Sequence, residues 1–151
     1  MTTTMLATLQ RTSRLLTLAL MGVLAVATMA RYEAVSVARA DGQNVMVGDG
    51  GSLGAILVDG QGFTLYTFDP DEPNKSNCNG SCATTWPPLM ATGDSVAAPD
   101  DIHDNFSIFA RDDGSMQIAY KGRPLYRFAP DTEPGQTKGQ GVGGVWFVVQ
   151  P

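Results

Sequence analysis

Two cysteines and a repeated tyrosine–aspartate motif are the residues whose types and spacing could carry chemistry. Cys78 and Cys82 are the only cysteines, and an Asn79-Gly80 dipeptide between them favours a tight turn. In an oxidising compartment, an isolated close pair most simply forms a disulfide. A redox-active or metal-binding pair is the alternative, but the spacing is neither the Cys-x-x-Cys of thiol oxidoreductases nor the Cys-x-x-Cys-His of haem attachment. We interpret the pair as a structural disulfide.

The sequence Leu-Tyr-x-Phe-x-Pro-Asp occurs twice. Its key residues are Tyr66, Phe68 and Asp71 in the first copy and Tyr126, Phe128 and Asp131 in the second. A catalytic reading would make the tyrosine an acid and the aspartate a base. The structural reading places the aromatic rings in the core, while proline presets a turn and aspartate accepts hydrogen bonds from the backbone N–H groups that follow. Occurrence in both copies favours the structural reading.

Oxygen donors are concentrated in the run from Asp69 to Asn74, and carboxylates are ligands that calcium prefers. That run does not follow the spacing of an EF-hand loop. His103 is the only histidine, so the chain lacks the residues for a His-rich zinc or copper site. Any Ser-His-Asp triad would need this same residue. We predict no catalytic residue, no cofactor and no bound metal. The residues that would serve as ligands for a metal are Asp69, Asp71 and His103.

An internal repeat positions these motifs. Tyr66 and Tyr126 are 60 residues apart, and the same offset relates Trp86 to Trp146. An ungapped match over residues 54–86 is hard to obtain by chance and indicates a duplication. The first repeat covers about residues 44–90 and the second about residues 106–151. The polar, acidic segment 91–105 joins them and is expected on the surface.

Short β-branched and aromatic runs dominate the repeats, and no helical period of useful length is present. The predicted strands are residues 44–47, 55–58, 63–68, 106–111, 116–120, 124–128 and 145–149. Asp113-Gly114 between two of these runs predicts a hairpin. The sequence therefore predicts an all-β fold, a single small domain built from two duplicated β halves that share one core.

Side-chain alternation predicts which face of each strand is buried. Arg123, Leu125 and Arg127 lie on one face of their strand, so Tyr126 and Phe128 on the other face are expected to point inward. By the ungapped register, the same holds for the first copy. Ile56 and Val58 are expected inward with their counterparts Met116 and Ile118, and Leu57 and Gln117 are expected outward.

Residues 1–40 have the pattern of a secretory signal peptide. Arg11 and Arg14 precede an apolar run over residues 15–30, which is short for a membrane-spanning helix. An Ala-x-Ala pattern predicts cleavage after Ala40, with cleavage after Ala30 and an uncleaved anchor as alternatives. No cysteine closely follows the apolar run, so no lipid attachment site is expected.

The mature chain, residues 41–151, is acidic. Four basic residues and one acidic residue precede Asp41, which leaves 6 basic and 14 acidic residues and a net charge of −8. Such a surface repels phosphate backbones and anionic lipid, so nucleic acid is not an expected partner. We predict a periplasmic or secreted protein with no stable membrane span after the signal peptide is removed.

The motifs together resemble a bacterial family. The first copy reads Gly62-x-x-Leu65-Tyr66-x-Phe68-x-x-Asp71, then Cys78-x-x-x-Cys82 and Trp86-Pro87-Pro88-Leu89, and the second carries Tyr120 to Tyr126 and Gly139 to Trp146. This combination resembles the "secreted repeat of unknown function", which includes predicted lipoproteins with a Tyr-x-(Phe/Trp/Tyr)-x-x-Asp motif. The resemblance covers residues 41–151 and implies an exported cell-envelope protein without an established enzymatic role. The lipid-attachment cysteine of many relatives is absent, and Gln136 stands where relatives often have Asp.

These observations favour a non-catalytic binding or structural module of the cell envelope, with an unidentified envelope or extracellular partner. A periplasmic redox or metal-handling accessory protein, using Cys78 and Cys82 or the aspartate-rich turns, is the main alternative. A hydrolase that depends on His103 is a third.

Overall fold

A computed structural model describes residues 43–151, so the predicted signal peptide and both cleavage positions lie outside the described residues. The elements are β1 (Gln43–Asp49), β2 (Ala55–Asp59), β3 (Tyr66–Phe68), α1 (Ser81–Thr85), β4 (Val96–Ala97), β5 (Phe106–Ala110), β6 (Met116–Tyr120), β7 (Arg123–Pro124) and β8 (Trp146–Val148). Short 3-10 turns occur at Gly51–Leu53, His103–Asn105 and Val142–Gly144. Helix α1, one short turn, was not predicted because it is too short to show a helical period.

The strands form three small sheets. Their orders are β2-β1-β4, β5-β6-β7 and β3-β8, and every pairing except β1 with β4 is antiparallel. The β1–β2 and β5–β6 hairpins are the corresponding parts of the two repeats. The Asp113-Gly114 turn joins β5 to β6, with Gly114 at a φ of 81°, as its sequence predicts. The prediction of an all-β domain with duplicated halves is confirmed.

The two repeats differ in length by one residue at a single turn. Val45 pairs with Asp59 in the first hairpin, and Phe106 pairs with Tyr120 in the second, so the hairpins correspond at an offset of 61. From Tyr66 and Tyr126 onward the offset is 60. The difference arises because β2 meets the returning chain at Val58 and Thr64, whereas β6 meets it at Ala119 and Pro124. The offset of 60 therefore applies only after this turn.

Because of the extra residue, the predicted buried and exposed faces of β2 and β6 are partly wrong. Leu57 and Gln117 were expected outward, but both are fully buried. Met116 was expected inward, but it is 43% exposed. At the true offset Leu57 corresponds to Ile118 and Gln117 to Ile56, and all four are buried. Alternation failed here because β2 and β6 are covered on both faces, so burial does not follow a period of two.

The last extended segment of each repeat lies beside the other repeat. β8, from the second repeat, pairs with β3 of the first, and the Leu57 N–H donates to the Val149 carbonyl at 2.8 Å. Reciprocally, the Leu89 N–H of the first repeat donates to the Leu125 carbonyl at 2.8 Å, and Ile118 donates to Leu89 at 2.9 Å. The halves are therefore interlocked, because the second repeat supplies β8 to the first and the first supplies the bridged segment 88–90 to the second.

Two buried clusters form the shared core, and both draw on both repeats. The aliphatic cluster is Val45, Leu57, Leu65, Leu89, Val96, Ile102, Ile118, Tyr120, Leu125 and Val149. The aromatic cluster is Tyr66, Cys78, Trp86, Tyr126 and Trp146. Val96 and Ile102 belong to the segment 91–105, which was expected on the surface. The segment contributes strand β4 and these two apolar anchors, so that prediction was wrong for part of its length.

Candidate functional site

The two motif tyrosines lie side by side at the centre of the molecule. The Tyr66 N–H donates to the Tyr126 carbonyl at 2.9 Å, and the Tyr126 N–H donates to the Tyr66 carbonyl at 2.9 Å. A reciprocal pair of this kind joins equivalent residues of antiparallel segments. An approximate two-fold relation between the repeats therefore passes between these residues, and both side chains are fully buried.

Each tyrosine hydroxyl binds the aspartate of the other repeat. Tyr66 Oη donates to Asp131 Oδ2 at 2.6 Å, and Tyr126 Oη donates to Asp71 Oδ2 at 2.6 Å. The other oxygen of each carboxylate accepts a backbone N–H that follows it, from Asn77 at 2.7 Å and from Lys138 at 3.1 Å. Each aspartate thus fixes its own turn and holds the tyrosine of the opposite repeat. The sequence predicted the hydrogen bonds from the backbone N–H groups to each aspartate, but not the bond from the tyrosine of the opposite repeat.

The protonation equilibria of these groups favour the neutral phenol. Burial is the largest cause that raises the pKa of Tyr66 above its ordinary value, followed by the hydrogen bond to Asp131. Burial also raises the pKa of Tyr126, and the hydrogen bond to Asp71 adds to it. The pKa of Asp71 is raised by burial and is partly lowered again by the hydroxyl of Tyr126. A phenol with a raised pKa is a weak acid, and carboxylate oxygens that already accept hydrogen bonds from the protein are not free to take a proton from a substrate.

Four aromatic rings stack across the boundary between the repeats, in the order Phe68, Trp146, Trp86 and Phe128. The two indoles are parallel within 2° at a centroid distance of 3.8 Å. Phe68 stacks on Trp146 at 4.3 Å, and Phe128 stacks on Trp86 at 4.1 Å. Each tyrosine packs its edge against one indole. Every ring of the repeat motif is therefore used in packing.

A buried arginine network, not predicted from the sequence, supports one of the tyrosines. Arg111 Nη1 donates to Ser76 Oγ at 2.9 Å and to Gln117 Oε1 at 2.5 Å. Arg111 Nη2 donates to the Cys78 carbonyl at 2.8 Å. Ser76 Oγ lies 2.7 Å from Tyr126 Oη, so the network reaches the Tyr126 hydroxyl. The one sequence signal was Gln117, a polar residue in an otherwise apolar strand.

A second arginine is paired with a fully buried carboxylate. Arg127 Nη2 forms an ion pair with Asp59 Oδ2, and its guanidinium lies 5.2 Å from the centroid of the Phe63 ring. Asp59 Oδ1 accepts the N–H groups of Gln61 and Phe63. Asp59 sits at the turn where the first repeat carries its extra residue. Its carboxylate therefore organises that turn and balances the charge of Arg127.

The two cysteines form a disulfide beside the network of Arg111. Cys78 and Cys82 are joined, with a Cα–Cα distance of 5.2 Å. Cys78 is fully buried in the aromatic cluster, and its carbonyl is held by Arg111. Cys82 lies in α1, and its carbonyl accepts the Trp86 N–H at 2.8 Å. The disulfide therefore connects the arginine network to the stacked tryptophans.

The structure brings two of the metal candidates, Asp69 and Asp71, to one cleft and places His103 at another. Asp69 pairs with Arg123 at 2.6 Å, and Asp71 is bound by Tyr126. His103 lies in a 3-10 turn, where its Nδ1 is 3.3 Å from Asp104 Oδ1. Within residues 43–151, no group of three or more His, Cys, Asp or Glu side chains is arranged to hold a metal ion.

Two clefts occupy corresponding positions beside the motif aspartates. One, of about 250 Å³, is lined by Asp69, Asp71, Glu72, Pro73, Lys121, Gly122, Arg123 and Pro124. The other, of about 350 Å³, is lined by Phe63, Thr64, Pro87, Arg127, Phe128, Ala129, Asp131 and Thr132. In the second cleft, Phe63 occupies the position that Arg123 has in the first cleft, and Ala129 occupies the position that Asp69 has there. The core motif is thus shared by the two repeats, but the cleft linings are not.

Two interlocked repeats that cross-bond through Tyr–Asp pairs characterise this class of β domain. The sequence profile of the family described as "Secreted repeat of unknown function" matches residues 50–90 and 107–150, more than half of the chain. The chain belongs to this family, as its motifs indicated. The match gives one copy of the repeat to each half. Comparison with curated proteins and with solved structures gave no match.

Proposed function

We propose that this exported protein is a non-catalytic binding or structural module of the bacterial cell envelope, which acts in the periplasm or outside the cell. Membership of a secreted repeat family supports export. Within residues 43–151, no helix has the length and apolar character needed to cross a membrane. The acidic mature chain argues against nucleic acid and anionic lipid as partners.

One observation carries the non-catalytic role: the motif groups with acid–base capacity bind one another. Each tyrosine hydroxyl donates to a carboxylate of the opposite repeat at 2.6 Å, and both tyrosine side chains are fully buried. A catalytic acid or base must lie within hydrogen-bond reach of a substrate. Tyrosine hydroxyls that are occupied and buried in this way hold the two repeats together instead.

The rival role, in redox or metal handling, is tested on protein purified after export without reductant or chelator. Thiol titration under denaturing, non-reducing conditions is expected to find no free thiol, and elemental analysis no stoichiometric metal. The matched control is the double variant Cys78→Ser and Cys82→Ser. It is expected to remain folded and to lose about 2 kcal/mol of stability, because the closed loop is small. Two free thiols, or a metal bound at one equivalent, would favour the rival.

The binding role is tested by chemical cross-linking in intact cells, followed by fractionation. Discrete, reproducible adducts of the exported chain are expected. Recovery of the chain only as uncross-linked material would contradict a binding role and leave a structural one. The same fractionation separates periplasmic from extracellular protein.

A further inference from the structure

Strand β5 lies at the edge of its sheet. The order β5-β6-β7 gives Phe106–Ala110 one paired side, along β6, and one open side. Among the described residues, no strand pairs with that open side. Edge strands present rows of unpaired backbone N–H and C=O groups, to which another chain can add.

The hydrogen bonds of β6 show which groups of β5 face outward. The Ile118 N–H donates to the Leu89 carbonyl at 2.9 Å, and the Ile118 carbonyl accepts the Leu125 N–H at 3.0 Å. Both backbone groups of Ile118 therefore point away from β5. Ile108 lies directly opposite Ile118, so the two form a non-hydrogen-bonded pair. The N–H and C=O of Ile108 are consequently directed to the open edge.

The next outward position follows the same alternation. Met116 lies opposite Ala110, and its carbonyl accepts the Ala91 N–H at 2.9 Å, on the side away from β5. Ala110 therefore also directs its backbone groups outward. The open edge offers the alternating donors and acceptors that an added strand requires.

A cleft of about 310 Å³ runs along this edge. Phe106, Ser107 and Ile108 line its β5 side, and Asp94, Ser95, Val96 and His103 line the remainder. Phe106 and Ile108 are half-buried and pack against the aliphatic core, so they present apolar surface at the cleft. The cleft thus combines an apolar floor with a free strand edge.

The segment that lines one side of the cleft carries acidic side chains. Residues 91–110 contain Asp94, Asp100, Asp101 and Asp104 but no lysine or arginine. Asp94 lines the cleft itself. Unbalanced surface charge attracts ligands of opposite charge over a distance of about 8–10 Å at physiological ionic strength.

We propose that β5 binds an extended, basic peptide segment of a partner protein by strand addition. The peptide backbone pairs with Ile108 and Ala110, its apolar side chains contact Phe106 and Ile108, and its lysine or arginine side chains face the acidic segment. Main-chain pairing of this kind supplies affinity, and the flanking side chains supply specificity. This inference rests on the non-catalytic binding role proposed above.

The corresponding edge of β1 provides an internal control. Val47 lies opposite Leu57, whose N–H and C=O bond to Val149 and Leu65, so Val47 also directs its backbone groups outward. The edge of β1 is partly covered, because β4 pairs with its first two residues. Val47→Pro and Ile108→Pro therefore each remove one outward N–H from an edge strand, a position where proline is tolerated.

The test uses the exported protein and an end-blocked probe peptide of about six residues that alternates lysine and valine. Titration is followed by calorimetry and by amide NMR shifts. Binding is expected, with the largest shifts at Ile108 and Ala110. Methylation of the peptide nitrogens that face the protein should weaken binding at least about tenfold, which corresponds to about 1.4 kcal/mol. Ile108→Pro should do the same, whereas Val47→Pro should bind like the wild type.

The N-methylated probe keeps the test valid if Ile108→Pro does not fold, since it is measured on the unaltered protein. The proposal would be overturned if the methylated probe or a glutamate–valine probe bound as tightly as the lysine–valine probe. It would also be overturned if the NMR shifts were confined to another surface. The absence of any binding would overturn it too. If the cross-linking, thiol and metal results still agree with the proposed function, only the docking surface is refuted; if they do not, the proposed function is refuted whatever the peptide does.

Discussion

Replacing Tyr66 with Phe removes the hydroxyl that donates to Asp131 at 2.6 Å and leaves the packing of the ring in place. The carboxylate loses a charge-assisted hydrogen bond while it remains 6% exposed. Hydrogen bonds to charged groups contribute about 1.5–3 kcal/mol. We expect Tyr66→Phe to lower the free energy of unfolding by an amount in this range.

A double-mutant cycle separates the exchanged pairing from pairing within one repeat. For Tyr66→Phe combined with Asp131→Ala, we expect a coupling energy of about 1–2 kcal/mol, because each change removes the same bond. Tyr66→Phe combined with Asp71→Ala is the matched control. Tyr66 and Asp71 belong to the same repeat but share no bond, so this coupling should stay within about 0.5 kcal/mol.

Urea unfolding followed by tryptophan fluorescence is a suitable assay. Trp86 and Trp146 stack on each other at the boundary between the repeats, so their emission reports the loss of the interlocked core. A chain of this size is expected to unfold in one cooperative step, which permits comparison of free energies. Coupling between Tyr66 and Asp71 that exceeds the coupling between Tyr66 and Asp131 would refute the exchanged arrangement.

Three further predictions concern the same core. Burial raises the folded-state pKa of Tyr66 and Tyr126 above the ordinary value of 10.0, so the stability they contribute is present below pH 10 and lost as the pH rises beyond it. Tyrosinate absorbance of the mature chain, residues 41–151, should therefore show two tyrosines that ionise only on unfolding; ordinary titration of Tyr66 and Tyr126 would contradict this. Gly139→Ala should cost about 1–3 kcal/mol in urea unfolding, because a Cβ there would lie 2.7 Å from the Tyr66 ring; an unchanged midpoint would argue against that contact. Arg111→Met should lower the thermal midpoint and cost about 3 kcal/mol or more, since several buried acceptors lose their donor. Arg123→Met is its control and should cost under about 1 kcal/mol, because that ion pair is half exposed.

Much of the fold was predictable because its signals are local. The Tyr-x-Phe spacing predicted the burial of Tyr66 and Tyr126, and Asp113-Gly114 specifies a tight turn. Leu65 and Leu125, on the face expected outward, are fully buried too. The faces of β2 and β6 were not predictable by alternation. Leu57 and Gln117 are buried on strands covered on both sides, and Gln117 is accepted there because Arg111 and the Leu125 carbonyl bind its amide.

The candidate site was predictable in its members but not in its connections. The residues alone show that the chain has two β halves, each with a tyrosine, an aspartate and a tryptophan at matching positions. Two identical motifs present identical partners, so no local pattern states whether Tyr66 binds Asp71 or Asp131. The fold supplies the answer, because Tyr66 and Tyr126 pair through their backbones at the boundary between the repeats, and the opposite aspartate lies 2.6 Å from each hydroxyl.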